Sequence, residues 1–221
     1  MRLPMRPISP AEVYRICVVV SYAMLYGEAM PWGRSAMKRW FILFVKTDAE
    51  QLCVDYLKKH LDMERYQPFI LTKEATFWDK GKATLFKKLL FSSYVIVQTS
   101  CTTAEVIADV QPIIERYSGV FYRILSYDSD KKESINIMLR KSEQTMWESL
   151  VDSDFCIAAS YGVMEGEEVK VVDGPLIGKE GWIREFRRYK QKAFLNVEFG
   201  SEMLEISVVL KVLKRASNSS S

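Results

Sequence analysis

Between Val171 and Ile183 the chain reads VVDGPLIGKEGWI. Gly174, Pro175, Gly178 and Gly181 fall so close together that no helix survives there: proline removes a donor, and each glycine adds backbone entropy. The flanks are apolar and β-branched, so the stretch predicts two strands joined through a tight turn. Its surroundings keep that pattern. Val169 and Val171 alternate about Lys170. Trp182–Tyr189, Ala193–Phe199 and Met203–Ile206 are short strand-like runs, and Leu210–Leu213 closes the series. Short strands over some fifty residues predict a small all-β barrel, close to the size at which a lone core is marginal.

The first half obeys a different period. Trp40–Val45 (WFILFV) is a continuous apolar run and predicts a buried strand. Thr47-Asp48-Ala49-Glu50 has the form of a capping box, with Thr47 as N-cap and Glu50 at N3. Ala49, Leu52, Cys53, Tyr56, Leu57 and Leu61 then recur at helical spacing, which predicts an amphipathic helix over Asp48–Leu61. His60 sits in its last turn, where a structural role beside the helix dipole is expected. Strands are expected at Tyr66–Thr72, Leu85–Phe91, Tyr94–Thr99, Val120–Leu125 and Ile135–Leu139. Phe77–Ala83 reads as a polar turn and 127–133 as a charged loop. Thr102-Thr103-Ala104-Glu105 starts a second helix, in which Pro112 predicts a kink or an early stop and after which Gly119 ends the turn. Ser142–Val151 reads as a short helix. This order suits an α+β sandwich, with helices packed on an antiparallel sheet.

The expected organisation is therefore an N-terminal domain at 37–151, a linker at 152–162 where periodicity fades, an all-β domain at 163–215 and a flexible tail at 216–221. Residues 1–36 are read as a disordered leader or an extension, because Met37-Lys38-Arg39-Trp40 resembles a second start ahead of the first strand.

Composition and motifs narrow the chemistry. The chain is 48% hydrophobic, ample for a packed core, and its net charge is only +3, so any basic signal must be local. Cys17, Cys53, Cys101 and Cys156 stand far apart, and His60 is the one histidine. That pattern argues against a zinc site, a disulfide framework or thiol catalysis. There is no phosphate-binding glycine loop and no hydrolase or metalloprotease motif. Glu167 and Glu168 are adjacent, and adjacent strand residues face opposite ways. No enzyme activity, metal or cofactor is expected. The apolar run Ile16–Tyr26 is shorter than the roughly 20 residues that span a bilayer, so no membrane is expected and the cytoplasm is the expected location.

The local basic signal lies just past the opening stretch. Lys179, Arg184, Arg187, Arg188, Lys190 and Lys192 stand against Glu180 and Glu185, with Trp182, Phe186 and Tyr189 interleaved. Basic groups hold phosphates and exposed aromatics stack on unpaired bases, which points to RNA. A solvated hairpin whose aromatics are core would have the same sequence.

Two resemblances connect the halves. Gly166 through Val171, Asp173-Gly174-Pro175-Leu176, Gly178 and Gly181-Trp182-Ile183 resemble a KOW motif, which ribosomal proteins also carry. Lys38-Arg39-Trp40-Phe41, the helix after Thr47, and Leu90-Phe91-Ser92-Ser93-Tyr94-Val95-Ile96-Val97 resemble the NGN domain of the NusG family. Together they cover about residues 38–214. The resemblance implies an α+β NGN sandwich followed by an SH3-like KOW barrel, and a binding protein of transcription. Phe91 and Tyr94 would then meet the clamp helices of the largest subunit of bacterial RNA polymerase. Leu176, at the KOW loop, would meet ribosomal protein S10 or Rho. The six basic residues would contact nascent or leader RNA. Two departures are evident: the family's usual Phe-Pro-Gly-Tyr is Phe91-Ser92-Ser93-Tyr94, and Leu176 stands where the housekeeping member usually has Phe. They favour a specialised antitermination branch similar to the LoaP group. A general elongation factor coupled to ribosome or Rho, and a ribosomal protein of KOW type, are the alternatives.

Overall fold

The computed structural model describes residues 38–126, 137–200 and 202–213. The expected leader 1–36, the loop 127–133, the first two residues of the strand expected at Ile135–Leu139 and the tail 216–221 lie outside the described residues. The chain divides into two compact units, Met1–Ile70 with Ser92–Gln144, and Leu71–Phe91 with Thr145–Ser221.

The first unit is built around β1 (Arg39–Val45), the apolar run read from the sequence. With β2 (Tyr66–Phe69), β5 (Tyr94–Thr99) and β6 (Phe121–Ile124) it makes an antiparallel sheet in the order β2-β5-β1-β6. Helices α1 (Glu50–His60) and α2 (Thr103–Arg116) supply the rest of the core. Phe41, Leu43, Val45, Val95 and Val97 share one buried cluster with Cys53, Leu57, Val106 and Val110. Period 2 on the strands and period 3.6 on the helices thus converge on one layer. Trp40 and Ile42, of the other parity, are buried too, which is why the run shows no polar alternation.

Helix α2 starts as its sequence predicts: Thr102 and Glu105 form a capping box, and the helix then runs through Pro112 to Arg116. The early stop expected at Pro112 does not occur. The box expected at Thr47 does not form either. Ala49 is the N-cap of α1 without a side-chain cap, and Asp48 takes a left-handed φ of 65°. The Thr47 hydroxyl instead lies 2.7 Å from the Ser93 hydroxyl, and the Glu50 carboxylate accepts the Ser93 N–H at 2.6 Å. Ser93 itself has φ 70°. In this way Ser92-Ser93 makes the turn without a glycine: a buried carboxylate binds its amide. Replacing Glu50 with Ala should cost about 2 kcal/mol, because it removes a buried, charge-assisted hydrogen bond. The urea midpoint checks this; an unchanged midpoint would mean the turn holds without Glu50.

His60 bonds through Nε2 to the Tyr117 hydroxyl at 2.7 Å, and Tyr117 stacks on Tyr56. Its place is structural.

The second unit contains a hairpin, β3 (Thr72–Asp79) and β4 (Lys82–Leu89), with β7 (Cys156–Ile157) parallel to β3. Phe77 and Trp78, expected in a turn, are strand residues. The turn is only Lys80-Gly81, both at positive φ, as the right-handed twist of a two-residue hairpin favours. The stretch 152–162, read as a linker, holds β7 and the start of β8 (Ser160–Glu165). Strands β8, β9 (Glu168–Asp173), β10 (Ile183–Arg187), β11 (Lys192–Phe199) and β12 (Glu202–Val212) form a curled five-stranded sheet in the order β10-β11-β12-β8-β9. Gly174, at φ 94°, passes over the backbone of Ala159 and Ser160, where a Cβ would come within 2.8 Å of both. Helix α3 (Lys141–Glu148) carries Trp147, which is fully buried.

The fold is thus α+β in the N-terminal region and all-β in the C-terminal one. Among the described residues no helix is long and apolar enough to cross a membrane.

Candidate functional sites

On the sheet of the first unit, the parity of β1 that turns away from the helices ends in Phe44. Its register partners are Tyr94 of β5 and Arg123 of β6. The Phe44 ring lies 5.7 Å from that of Tyr94 and 5.3 Å from that of Tyr122. The Arg123 guanidinium stands over Phe44 at 4.9 Å, a cation–π distance. Its Nε is buried with no hydrogen-bond partner, so the stacked geometry holds it. Tyr94 is buried at the inner side of this group, whereas Tyr122 is 48% exposed. Aromatics and arginine on one patch are the residue types that anchor protein interfaces. The sequence reading named Tyr94 but not Phe44 or Tyr122, whose rings the structure groups with it through Phe44. The strand parity of Phe44 was available, but nothing in Phe121-Tyr122 said which ring turns outward.

Phe91 belongs elsewhere. Its ring stacks on Phe199 at 4.5 Å and 19°, and meets the edge of Trp147 at 5.6 Å. The Trp147 indole N–H donates to the Glu198 carbonyl at 2.9 Å. Phe91 is therefore committed to packing inside the second unit, while Tyr94 packs in the first.

Leu176 is also displaced from its expected role. It is fully buried, with its N–H donated to the buried Ser160 hydroxyl at 3.2 Å. A side chain so placed presents nothing to S10 or Rho. Its neighbour Ile177 is 51% exposed and carries the apolar tip of the loop.

The six basic residues divide by what they already hold. Lys179 donates to the Pro175 carbonyl at 2.9 Å and lies over Trp182 at 5.9 Å. Arg184 pairs with Glu205 at 2.7 Å. Arg187 is bidentate to Glu185, at 2.6 and 3.0 Å, and stacks over Phe194 at 4.5 Å. That hydrogen-bonded ion pair holds the Glu185 carboxyl below its ordinary value. Arg188 and Lys190 are exposed on the short helical turn after β10, beside the exposed ring of Tyr189. Lys192 opens β11 and is half-buried. The free basic surface is thus narrower than the sequence suggests, and it centres on Arg188, Tyr189 and Lys190.

Among the described residues the cysteines form no reactive site. Burial, then the charge of Glu50, pushes the Cys53 thiol up to about 12, and burial also raises Cys156. Thiols so held are poor nucleophiles. Cys101 is buried as well, and Cys17 lies outside the described residues.

Residues 38–145 match the family model described as "NusG: Transcription termination factor nusG". Among solved structures, one titled "Domain interaction in Thermotoga maritima NusG" is similar at 16% identity, covering 79% of this chain and 93% of that one, with a TM-score of 0.42. No curated protein matches the chain.

Proposed function

We propose, from the premise that residues 38–145 are a NusG-family domain, that the chain is a transcription elongation factor that suppresses pausing and termination on selected operons. The observation that carries this reading is the aromatic and arginine patch on that domain. The exposed Tyr122 ring meets Phe44, which Tyr94 also meets, and Arg123 is stacked on the Phe44 ring. This patch docks on the clamp helices of RNA polymerase. Phe91 is left out of this patch, because it stacks on Phe199 within the second unit.

The KOW-like barrel contacts leader RNA through Arg188 and Lys190, with Tyr189 as a stacking surface. Arg184, Arg187, Lys179 and Lys192 frame that surface. This RNA-guided role is of the LoaP kind. The burial of Leu176 supports it over coupling to S10 or Rho through that residue.

Retention of core RNA polymerase on the immobilised chain, followed by transcription through a terminator with and without the native leader, tests the reading. Tyr122→Ala should weaken polymerase retention by about ten-fold or more, as truncating an interface anchor does, and should abolish read-through. Arg188→Ala with Lys190→Ala should keep retention and lose only the dependence on the leader. Undiminished read-through with Tyr122→Ala would refute the docking surface.

A further inference from the structure

The β3–β4 hairpin has surface chemistry that the sheet patch and the barrel do not use. Phe77 is 61% exposed, Trp78 55% and Phe86 45%. The register Ala75↔Phe86 and Phe77↔Thr84 places Phe77 and Phe86 diagonally on one face, and Trp78 is on the other. In the sheet order β4-β3-β7, β4 is an edge. Large rings on both faces of a two-stranded ribbon do not serve a core.

The charges say what would cover them. The ribbon carries five lysines against Glu74 and Asp79. Glu74 is occupied by the Ala159 N–H at 2.6 Å, Lys87 pairs with Asp154 at 3.0 Å, and Lys73 donates to the Ser207 carbonyl at 2.6 Å. Lys80, Lys82 and Lys88 form no ion pair among the described residues. Lys88 is directly opposite Lys73 across the ribbon, a like-charge pair that costs stability unless an anion lies between or beside it. Burial, then the charges of Lys192 and Lys88, press the Lys73 ammonium toward its neutral form. A positively charged ribbon with rings between its lysines matches a flexible polyanion whose bases are unpaired. An apolar protein groove would cover the rings and leave the repulsion in place.

We infer that this ribbon binds single-stranded nucleic acid, with Phe77, Trp78 and Phe86 stacking on bases and Lys80, Lys82 and Lys88 meeting phosphates. The site is independent of the Arg188–Lys190 surface on the barrel. Twist in the ribbon turns its two faces at an angle, so successive bases of one strand reach Trp78 on one side and Phe77 with Phe86 on the other. A duplex, with its bases stacked inward, offers only phosphates and gains nothing from the rings.

The test uses the full chain and fluorescein-labelled oligo-dT, oligo-U and a mixed duplex, each about 15 nucleotides long, read by anisotropy over a range of salt. Phe77→Ala with Trp78→Ala should weaken single-strand binding by about ten-fold or more. Lys80→Gln with Lys82→Gln should flatten the slope of log affinity on log salt by about 1.4, as the loss of two single-strand phosphate contacts requires. These side chains are exposed, and circular dichroism checks that each variant is folded. Trp78→Phe should retain most of the binding, which separates stacking from loss of fold. Preference for dT or for U identifies DNA or RNA as the natural strand, and either result supports the site. The same ten-fold loss measured on an Arg188→Ala, Lys190→Ala background shows that the ribbon acts apart from the barrel. Affinities within two-fold of the parent in both ribbon variants would overturn it, as would tighter binding to duplex. Loss of polymerase retention with oligonucleotide affinity intact would make the ribbon a protein contact, and also overturn it.

Discussion

Gly174→Ala should destabilise the second unit by about 3 kcal/mol or more, whereas Gly178→Ala should cost only about 1 kcal/mol. Both glycines lie in one loop and both have positive φ, 94° and 69°. Left-handed backbone alone makes each alanine costly, by roughly 1 kcal/mol. The difference is space. A Cβ on Gly178 meets nothing within 4 Å, but one on Gly174 falls 2.7 Å from the Ser160 Cα and 2.8 Å from the Ala159 carbonyl oxygen. Those are backbone atoms at the start of β8, so they cannot rotate away. Retreat of the loop would also pull the Leu176 N–H from the Ser160 hydroxyl and open the seat of a fully buried leucine. Urea unfolding of the two single variants measures the gap directly. Equal midpoints would show that the loop can lift without loss, and that the close approach has no energetic weight.

The break at Gly174 was legible, because a positive φ and a close backbone approach leave room only for glycine there, but its outcome was not: β9 and β10 are not joined through a tight turn, and they stand at opposite edges of the five-stranded sheet with the short helical turn Glu180–Trp182 between them. The buried run Trp40–Val45 and the box at Thr102 were legible for similar reasons: each is a local pattern with one physical solution. Thr47 to Glu50 had the same letters as a capping box and a different outcome. The competing partner, the Ser93 amide, is 43 residues from Glu50 in sequence, and no local rule sees it. Phe77 and Trp78 were misread because lysine, aspartate and glycine beside them signalled a turn. The turn needs only Lys80 and Gly81, and the rings ride on the strand ahead of it.

The candidate sites were less legible than the fold. In Pro175-Leu176-Ile177 two consecutive apolar residues face opposite ways, and the sequence does not say which is inside. A shift of one residue exchanges core for surface. The basic stretch was correctly seen as dense, yet its availability depends on carboxylates at Glu185 and Glu205, one local and one on another strand. Counting charge finds the density; only pairing finds what remains free. Tyr122 escaped for the opposite reason: it carries no motif, and its place beside Phe44 is set by the β1–β6 register, which slips between Phe44 and Val45.

Trp147→Ala should be the most destabilising truncation of a side chain in the second unit, at about 3–5 kcal/mol. The indole is fully buried, meets Phe91 and Phe199 edge-on at 5.6 and 5.7 Å, and donates to the Glu198 carbonyl. Trp147→Phe keeps much of the ring contact but loses that hydrogen bond and some volume, so it should cost about 1–2 kcal/mol. A double-mutant cycle on Phe91 and Phe199 should give a coupling of about 0.5–1.5 kcal/mol, the range for a stacked pair. The same variants separate the two roles of Phe91. If its ring serves packing alone, Phe91→Leu lowers stability while a folded sample retains polymerase as the parent does. A loss of polymerase retention at full folding would instead make Phe91 a polymerase contact in its own right.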